Sequence, residues 1–252
     1  MKLRWYSDIH TEFGPNFTPQ LKDIEVLVLA GDIGCGVRGL GWLKNHVREK
    51  DVQVIYVPGN HEYYGYEIDW VNNTLWENTL GTNIHFLQNS SIIINGIRFI
   101  GATMWTDFWN DSLENMSYEE GTCFRIMNDY KCIKTGPGRF DTIQTKAIKE
   151  INRESVNYIF KTLKESVEPC VVVTHHKPYR SSRIDEVTAA YEIDLTARLD
   201  EVCPKLWIYG HTHQFDDTIK EYKSGQVRFL SNPHGYTHDR ARHFDKRIKL
   251  EL

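Results

Sequence analysis

Five short apolar runs separated by amphipathic helical patterns predict an α/β fold, and two hairpin signals add an antiparallel component to its sheet. The runs are LRWY (3–6), EVLVLA (25–30), VQVIYV (52–57), CVVVT (170–174) and KLWIY (205–209). Runs of this length, rich in Val and Ile and closed by glycine or polar residues, read as buried strands. The hairpin signals are Asn95-Gly96 inside SIIINGIRFIG and Ser224-Gly225 inside TIKEYKSGQVRFLS. Asn-Gly supplies the positive φ angles that a two-residue turn requires.

Taken in order, the strands at 3–6 and 25–30 precede LGWLKNHVREK, which sets Leu40, Leu43 and Val47 on one face and ends in basic residues. That is the charge a helix C-terminus prefers. After the strand at 52–57, IDWVNNTLWENTL aligns Ile68, Val71 and Leu75 as a second helix. Residues 105–141 follow the first hairpin as an aromatic-rich insert (Trp105, Phe108, Trp109, Tyr118, Phe124, Tyr130, Phe140) that ends near the turn TGPGR. The insert reads as one long loop, and loops of that length in compact domains usually carry function. Ala147, Ile151, Ile159 and Leu163 then mark a longer amphipathic helix within 142–166. The strands at 170–174 and 205–209 follow, and the partly alternating TIKEYKSGQVRFLS and RIKLEL close the chain. No repeat, low-complexity tract or linker interrupts it, so one domain over residues 1–252 is the expectation.

Composition narrows the function classes. The chain is 40% hydrophobic and 25% charged, as soluble globular proteins are. A formal net charge of -4 gives no global attraction to nucleic acid or an anionic membrane. No apolar stretch approaches the roughly 20 residues of a membrane span. The start MKLRWYSDIH lacks the apolar core of a secretory signal. Five cysteines without a C-x-x-C pair read as reduced thiols, and a cytoplasmic location is expected.

The chemistry lies just past the apolar runs. The first is followed by Asp8 and His10, the second by Asp32, and the third by Asn60, His61 and Glu62. The fourth leads into His175 and His176, and the fifth into His211 and His213. Ligands in open α/β sheets bind at the carboxyl ends of strands, so five such ends would converge on one point. Carboxylate, imidazole and amide donors without thiolate suit Mn, Fe, Zn, Ni or Co and make a poor calcium cage. About seven donors exceed the needs of one tetrahedral zinc, whereas two ions sharing a carboxylate can use them. Two divalent ions and two carboxylates leave a charge of about +2, which suits a phosphate ester.

The ordered set D-x-H, G-D, G-N-H-E, H and G-H-x-H resembles the calcineurin-like metallophosphoesterases, and SNPHGY (231–236) is similar to that family's last strand exit. The resemblance implies a four-layer α/β/β/α sandwich of two mixed sheets flanked by helices. It implies that Asp8, His10 and His213 hold one metal ion, that Asn60, His175 and His211 hold the other, and that Asp32 bridges them. His176 stays open as an alternative to its neighbour. His61 is implied to assist the leaving group, with Glu62 behind the ligands. The implied reaction is hydrolysis of a phosphate monoester or diester by a metal-held hydroxide, with two divalent ions as cofactors, Mn²⁺ foremost. ATMWTDFWND and FRIMNDY also resemble an uncharacterised bacterial and phage-like subgroup.

A small phosphate ester is the expected substrate, with Arg125 and Arg139 of the insert as candidate contacts for a second anionic group. A protein-binding scaffold on the same fold is one alternative, and it would be favoured by a lost ligand; none is lost. A nuclease is another, resting on Arg240, Arg242, Lys246, Arg247 and Lys249 near the C-terminus. A solvated final segment is the simpler reading of those charges.

Overall fold

In the computed structural model, which describes residues 1–14, 17–47, 51–138, 141–182, 185–236 and 243–252, each predicted apolar run forms a strand. Strands β1 (Lys2–Tyr6), β2 (Val26–Ala30) and β3 (Gln53–Val57) pair in parallel, and β3 pairs with β4 (Ile84–Phe86). They are buried on both faces, which is why they read as continuous apolar runs without alternation. Helix α1 (Arg38–Val47) supplies the crossover from β2 to β3 and α2 (Ile68–Thr79) that from β3 to β4. Arg48 and Lys50, part of the predicted basic end of α1, lie outside the described residues.

The second sheet has six strands in the order β5-β6-β7-β8-β10-β9. Its β5 (Ser90–Ile94) and β6 (Ile97–Ala102) form the predicted hairpin, with Asn95 at φ 50° and Gly96 at φ 78°. Strands β7 (Cys170–Thr174) and β8 (Leu206–Ile208) continue it in parallel. Strand β10 (Gly225–Ser231) pairs in parallel with β8 and antiparallel with β9 (Asp216–Tyr222). Its turn falls one residue earlier than expected. Tyr222 pairs with Gly225, so Lys223 and Ser224 make the turn and Gly225 opens β10 at φ 141°. The chain closes with β11 (Leu250–Glu251), antiparallel to β1.

Side-chain alternation builds the layers. Trp5, Val28, Ile55 and Val57 point from the first sheet onto Phe99, Val171, Val173 and Ile208 of the second. The opposite faces carry Leu27, Leu29, Val54 and Tyr56 against α1 and α2, and Val172, Trp207 and Phe229 against α5 (Thr145–Glu165). The result is the α/β/β/α sandwich of two mixed sheets flanked by helices.

The insert departs from the long loop expected of it. It contains α3 (Tyr118–Ile126) and α4 (Asp129–Cys132). Ser117 caps α3, its hydroxyl accepting from the Glu120 amide at 3.1 Å, so S-x-x-E was a helix-start signal set before an unfavourable Gly121. The buried Glu120 carboxylate pairs with Lys149 of α5 at 2.8 Å, and Asn152 donates to the carbonyls of Met104 and Trp105. Trp105, Phe108, Cys123 and Tyr130 thereby join the core above the first sheet. The remaining short helix is α6 (Thr196–Leu199).

Near the C-terminus, Tyr6 donates to the Lys246 carbonyl at 2.6 Å and Arg4 donates to the Ile248 carbonyl at 2.9 Å. That segment packs on β1 through its backbone, while Arg240 and Arg242 lie outside the described residues. All five cysteines are free, and no described helix is long and apolar enough to cross a membrane.

The layer between the sheets gives a direct stability test. Ile55 is fully buried there, whereas Ile219 on edge strand β9 is 59% exposed. Ile55→Ala should lower unfolding free energy by about 2–5 kcal/mol, and Ile219→Ala by less than about 0.5 kcal/mol. Denaturant midpoints of the two variants measure the difference.

Candidate metal centre and active site

The carboxyl ends of β1, β2 and β3 meet those of β7, β8 and β10 along one edge of the sandwich. There the chain leaves each strand through a short turn. Asp8, His10, Asp32, His211 and His213 all take positive φ values, between 50° and 66°. An L residue in that region costs roughly 1–2 kcal/mol, and such strain concentrates where side chains must be aimed for function. Gly31 and Gly59 allow the turns to close: a Cβ on the first would strike the His175 ring, and on the second the Asp32 carboxylate.

Two groupings stand on either side of Asp32, and a third, His10, Asp32 and His61, overlaps the first of them. Asp8, His10 and His213 bring ligand atoms within 4.8 Å of one another, as do Asp32, His175 and His211. In the first, His10 Nε2 is 3.1 Å from His213 Nε2, and His213 Nε2 is 3.5 Å from Asp8 Oδ1. In the second, His175 Nε2 lies 3.1 Å from His211 Nδ1, 3.0 Å from Asn60 Oδ1 and 3.4 Å from Asp32 Oδ1. The other carboxylate oxygen of Asp32, Oδ2, is 3.8 Å from His10 Nε2. One oxygen of Asp32 therefore faces each grouping.

The histidine doublet divides. His175 faces Asp32 and Asn60, while His176 turns away, Nδ1 3.2 Å from the Thr103 carbonyl and its ring beside Trp105. Burial and the charge of His175 push His176 down to about 3, so it is neutral.

The donor chemistry fits a pair of cations. Asn60 Nδ2 is committed to Asp129 Oδ1 at 2.8 Å and to the Tyr64 hydroxyl at 3.0 Å, which leaves Oδ1 as the atom facing inward. His175 Nδ1 donates to the Ala30 carbonyl at 2.9 Å, which leaves Nε2 facing the same point. Lone pairs of an amide, a carboxylate and an imidazole thus converge. Burial is the largest influence on the His175 ring and works against its charge, yet Asp32, Asp8 and the Ala30 carbonyl together outweigh it and raise the ring to about 9. The position favours positive charge, and no thiolate enters either grouping.

Glu62 holds the turns from beneath. Its buried carboxylate accepts from the amides of Asp32 (3.0 Å), Ile33 (2.8 Å), Gly34 (3.3 Å) and Gly59 (2.7 Å), and from the Tyr56 hydroxyl (3.0 Å). His61 stands at the rim, with Nδ1 2.8 Å from Glu12 Oε1 and Nε2 3.3 Å from the Tyr236 hydroxyl. Burial lowers its pKa and Asp32 raises it, with the net result at about 11. Burial would raise Glu12, but hydrogen bonds with His10 and His61 bring it down to about 2. Above this rim opens a cavity of about 1170 Å³ whose lining includes Asp32, Asn60, His61 and His211.

The model of the family described as calcineurin-like phosphoesterase matches residues 1–215. The chain belongs to the calcineurin-like phosphoesterase family. Protein L509 of Acanthamoeba polyphaga mimivirus, itself uncharacterised, is 30% identical to it over 271 residues, or 94% of this chain and 92% of that protein. Among solved structures, the phosphopantetheinyl hydrolase of Mycobacterium tuberculosis is similar at a TM-score of 0.69 and 19% identity, covering 94% of this chain and 90% of its own. TT1561 of Thermus thermophilus is similar at 0.51 and 11% identity, covering 91% and 88%. At those identities the likeness is one of fold. The family's chemistry is dimetal-dependent phosphoester hydrolysis, and the Asp and His clusters of this phosphoesterase can hold metal.

Glu12 carries no signal of its own in the sequence and is found through a contact that spans 49 positions. Asp129 and Tyr236 fall within FRIMNDY and SNPHGY, but what they touch emerges only from contacts that span 69 and 175 positions. Cys35 also groups with Glu12 and His61, though the cysteines read as ordinary thiols. Arg125 is exposed, bonds to Thr122 at 3.0 Å and does not line the cavity, whose guanidinium is Arg180 instead. Arg139 lies outside the described residues.

Asp129 gives the most specific test. Without its carboxylate, the Asn60 amide can rotate and turn its NH₂ group inward. Groups that orient ligands in this way are typically worth about 10–100-fold in metal affinity. Asp129→Ala should lose that much Mn²⁺ affinity in calorimetric titration, and because the Asn60 amide and Tyr64 hydroxyl lose a buried acceptor its unfolding free energy should fall by about 1–3 kcal/mol.

Proposed function

We propose that this phosphoesterase hydrolyses a small phosphate ester at a two-ion centre, with Asp8, His10 and His213 holding one ion, Asn60, His175 and His211 the other, and Asp32 between them. The observation that carries this reading is the Asp32 carboxylate, with Oδ1 toward one set of donors and Oδ2 toward the other. Bound there, two divalent ions would supply Lewis acidity toward the phosphoryl oxygens and lower the pKa of a coordinated water. Imidazole-rich sets disfavour Mg²⁺, which prefers oxygen ligands and gives up water reluctantly, so Mn²⁺ is the expected metal, with Fe, Zn, Ni and Co also matching the donors.

The protein's own groups account for the rest. Glu12 accepts a 2.8 Å hydrogen bond from His61 Nδ1–H, which fixes the ring and directs Nε2 to the cavity. Tyr236 stacks on His10 with ring centres 4.4 Å apart and places its hydroxyl 3.3 Å from that Nε2. The Nε2 proton passes to the ester oxygen as the P–O bond breaks, and the alcohol departs neutral. Both monoesters and diesters present such an oxygen. Burial opposes the charge of the ring, but the Asp32 and Glu12 carboxylates outweigh it and favour a protonated His61.

The value of that proton depends on the leaving group. A nitrophenolate departs without help, whereas an alkoxide needs a donor, and general acid assistance is typically worth about 10²–10⁴-fold. His61→Gln should lose that factor on alkyl phosphate esters and much less on nitrophenyl esters, with metal content unchanged. Glu12→Gln should move in the same direction by a smaller amount. A uniform loss across leaving groups, accompanied by lost metal, would make His61 a ligand and refute its role as proton donor.

A further inference from the structure

The cavity over the metal centre continues along one wall, and that wall is cationic. It is formed by the segment after β7, which includes Lys177 and Arg180, and by β9, which contributes Lys220. Lys177 is spoken for: its ammonium donates to the Ser181 hydroxyl at 2.6 Å and lies 3.5 Å from Glu192 Oε2. Glu192 also accepts from the Ser181 amide and hydroxyl, both at 2.7 Å, so its charge is locally matched.

Arg180 and Lys220 differ. Among the described residues neither forms an ion pair; each rests on an aromatic ring, and Lys220 shares its ring with Lys177, whose ammonium lies 4.4 Å from the centre of Tyr179. The Arg180 guanidinium sits 4.0 Å from the centre of Trp109, and the Lys220 ammonium 4.2 Å from the centre of Tyr179. Both platforms are fixed. Trp109 Nε1 donates to the Glu192 carbonyl at 3.2 Å, and the Tyr179 hydroxyl donates to Asp216. An aromatic face holds a cation in place without neutralising it, so its full charge and its donors stay available. Two carboxylates are nearby. Asp185 lines the cavity and accepts from the Thr188 hydroxyl at 2.7 Å and the Val187 amide at 3.1 Å, whereas Asp216 accepts from Tyr179, Tyr209 and Thr218 and lies outside the lining.

We propose that this wall is a second anion site, in which Arg180 and Lys220 bind a second phosphate of the substrate while the first lies at the metal centre. The preferred substrates are then small bisphosphorylated molecules. This rests on the phosphoesterase reading above and deepens it. Arg offers a planar fork that matches phosphate oxygens and Lys a mobile point charge, the usual division of labour at such sites. Asp32 and Asn60 of the candidate centre and Arg180 and Lys220 line one continuous cavity of about 1170 Å³.

The test uses full-length protein and alkanediol bisphosphates of increasing chain length, each paired with its monophosphate. In the Mn²⁺-loaded enzyme, kcat/KM should favour the bisphosphate by about tenfold to a hundredfold, the worth of one or two charge-assisted contacts. The preference should peak at one chain length, reside in KM and shrink as salt is added. The double variant R180A/K220A should bring the ratio to parity, while Lys223→Ala, a cation on the exposed β9–β10 turn, should keep it. Equal kcat/KM for both partners of every pair, or an unchanged ratio in R180A/K220A, would overturn the proposal and leave the phosphoesterase reading intact.

A second measurement is independent of turnover: equilibrium dialysis of the same bisphosphates with chelator-treated protein. Binding that the double variant loses supports the site even if no ester is hydrolysed, in which case the phosphoesterase reading alone has failed. Binding that the double variant keeps, or binding only of oligonucleotides, overturns the proposal.

Discussion

The carboxylate of Glu62 is the fixed point on which the candidate site depends. Two turns, Gly31-Asp32 and Gly59-Asn60, present their side chains within a few ångströms of each other; the segment after β1 holds the first through the Asp8 and His10 amides, and Glu62 ties it to the second. Glu62 receives four backbone amides and one tyrosine hydroxyl across both turns. A buried carboxylate is costly unless it is satisfied, and here every donor that satisfies it belongs to a segment that must be positioned. Burial and the nearby Asp32 charge push Glu62 up to about 7, and the amides of Gly59 and Ile33 pull against them.

The sheets set the remaining geometry. Parallel pairing of β1, β2 and β3 brings their exits to one edge, and parallel pairing of β7, β8 and β10 does the same for the second sheet. The two rows of exits are joined directly: the His211 amide donates to Asp8 Oδ1 at 3.0 Å, and the Gly235 amide donates to the Asp8 carbonyl at 3.0 Å. Asp8 thus orders the β8 and β10 exits with its side chain and backbone while its carboxylate faces His213. Residues at positive φ are tolerated there because the packed sheets beneath them admit no relaxation. The insert and the segment after β7 line the cavity over these exits through Ile126, Met127, Asn128 and Arg180, none of which belongs to the strand exits.

What could be read from the sequence follows from how local each signal is. Strand exits were legible because the chemical residue lies within a few positions of an apolar run, as with Ala30 and Asp32 or Val57 and Asn60. The Asn95-Gly96 hairpin was legible for the same reason. Strand β4 was not, since Ile84–Phe86 is three residues long and offers no pattern. Nor was the placement of β10 between β8 and β9, which depends on a pairing across a crossover. Asp129 is one of several acids in the insert, and only the folded chain singles it out by closing it on Asn60 and Tyr64. Arg180 was overlooked in favour of Arg125 because charge alone does not say which way a loop faces.

The central claim is that one carboxylate, Asp32, joins two ions at the meeting of the two sheets. Titrating Mn²⁺ into chelator-stripped protein and recording electron paramagnetic resonance spectra tests it directly. The account predicts two ions per chain and the spectrum of an exchange-coupled pair, which disappears in Asp32→Asn. A single bound ion, or two ions whose spectra remain uncoupled in the parent protein, would contradict it.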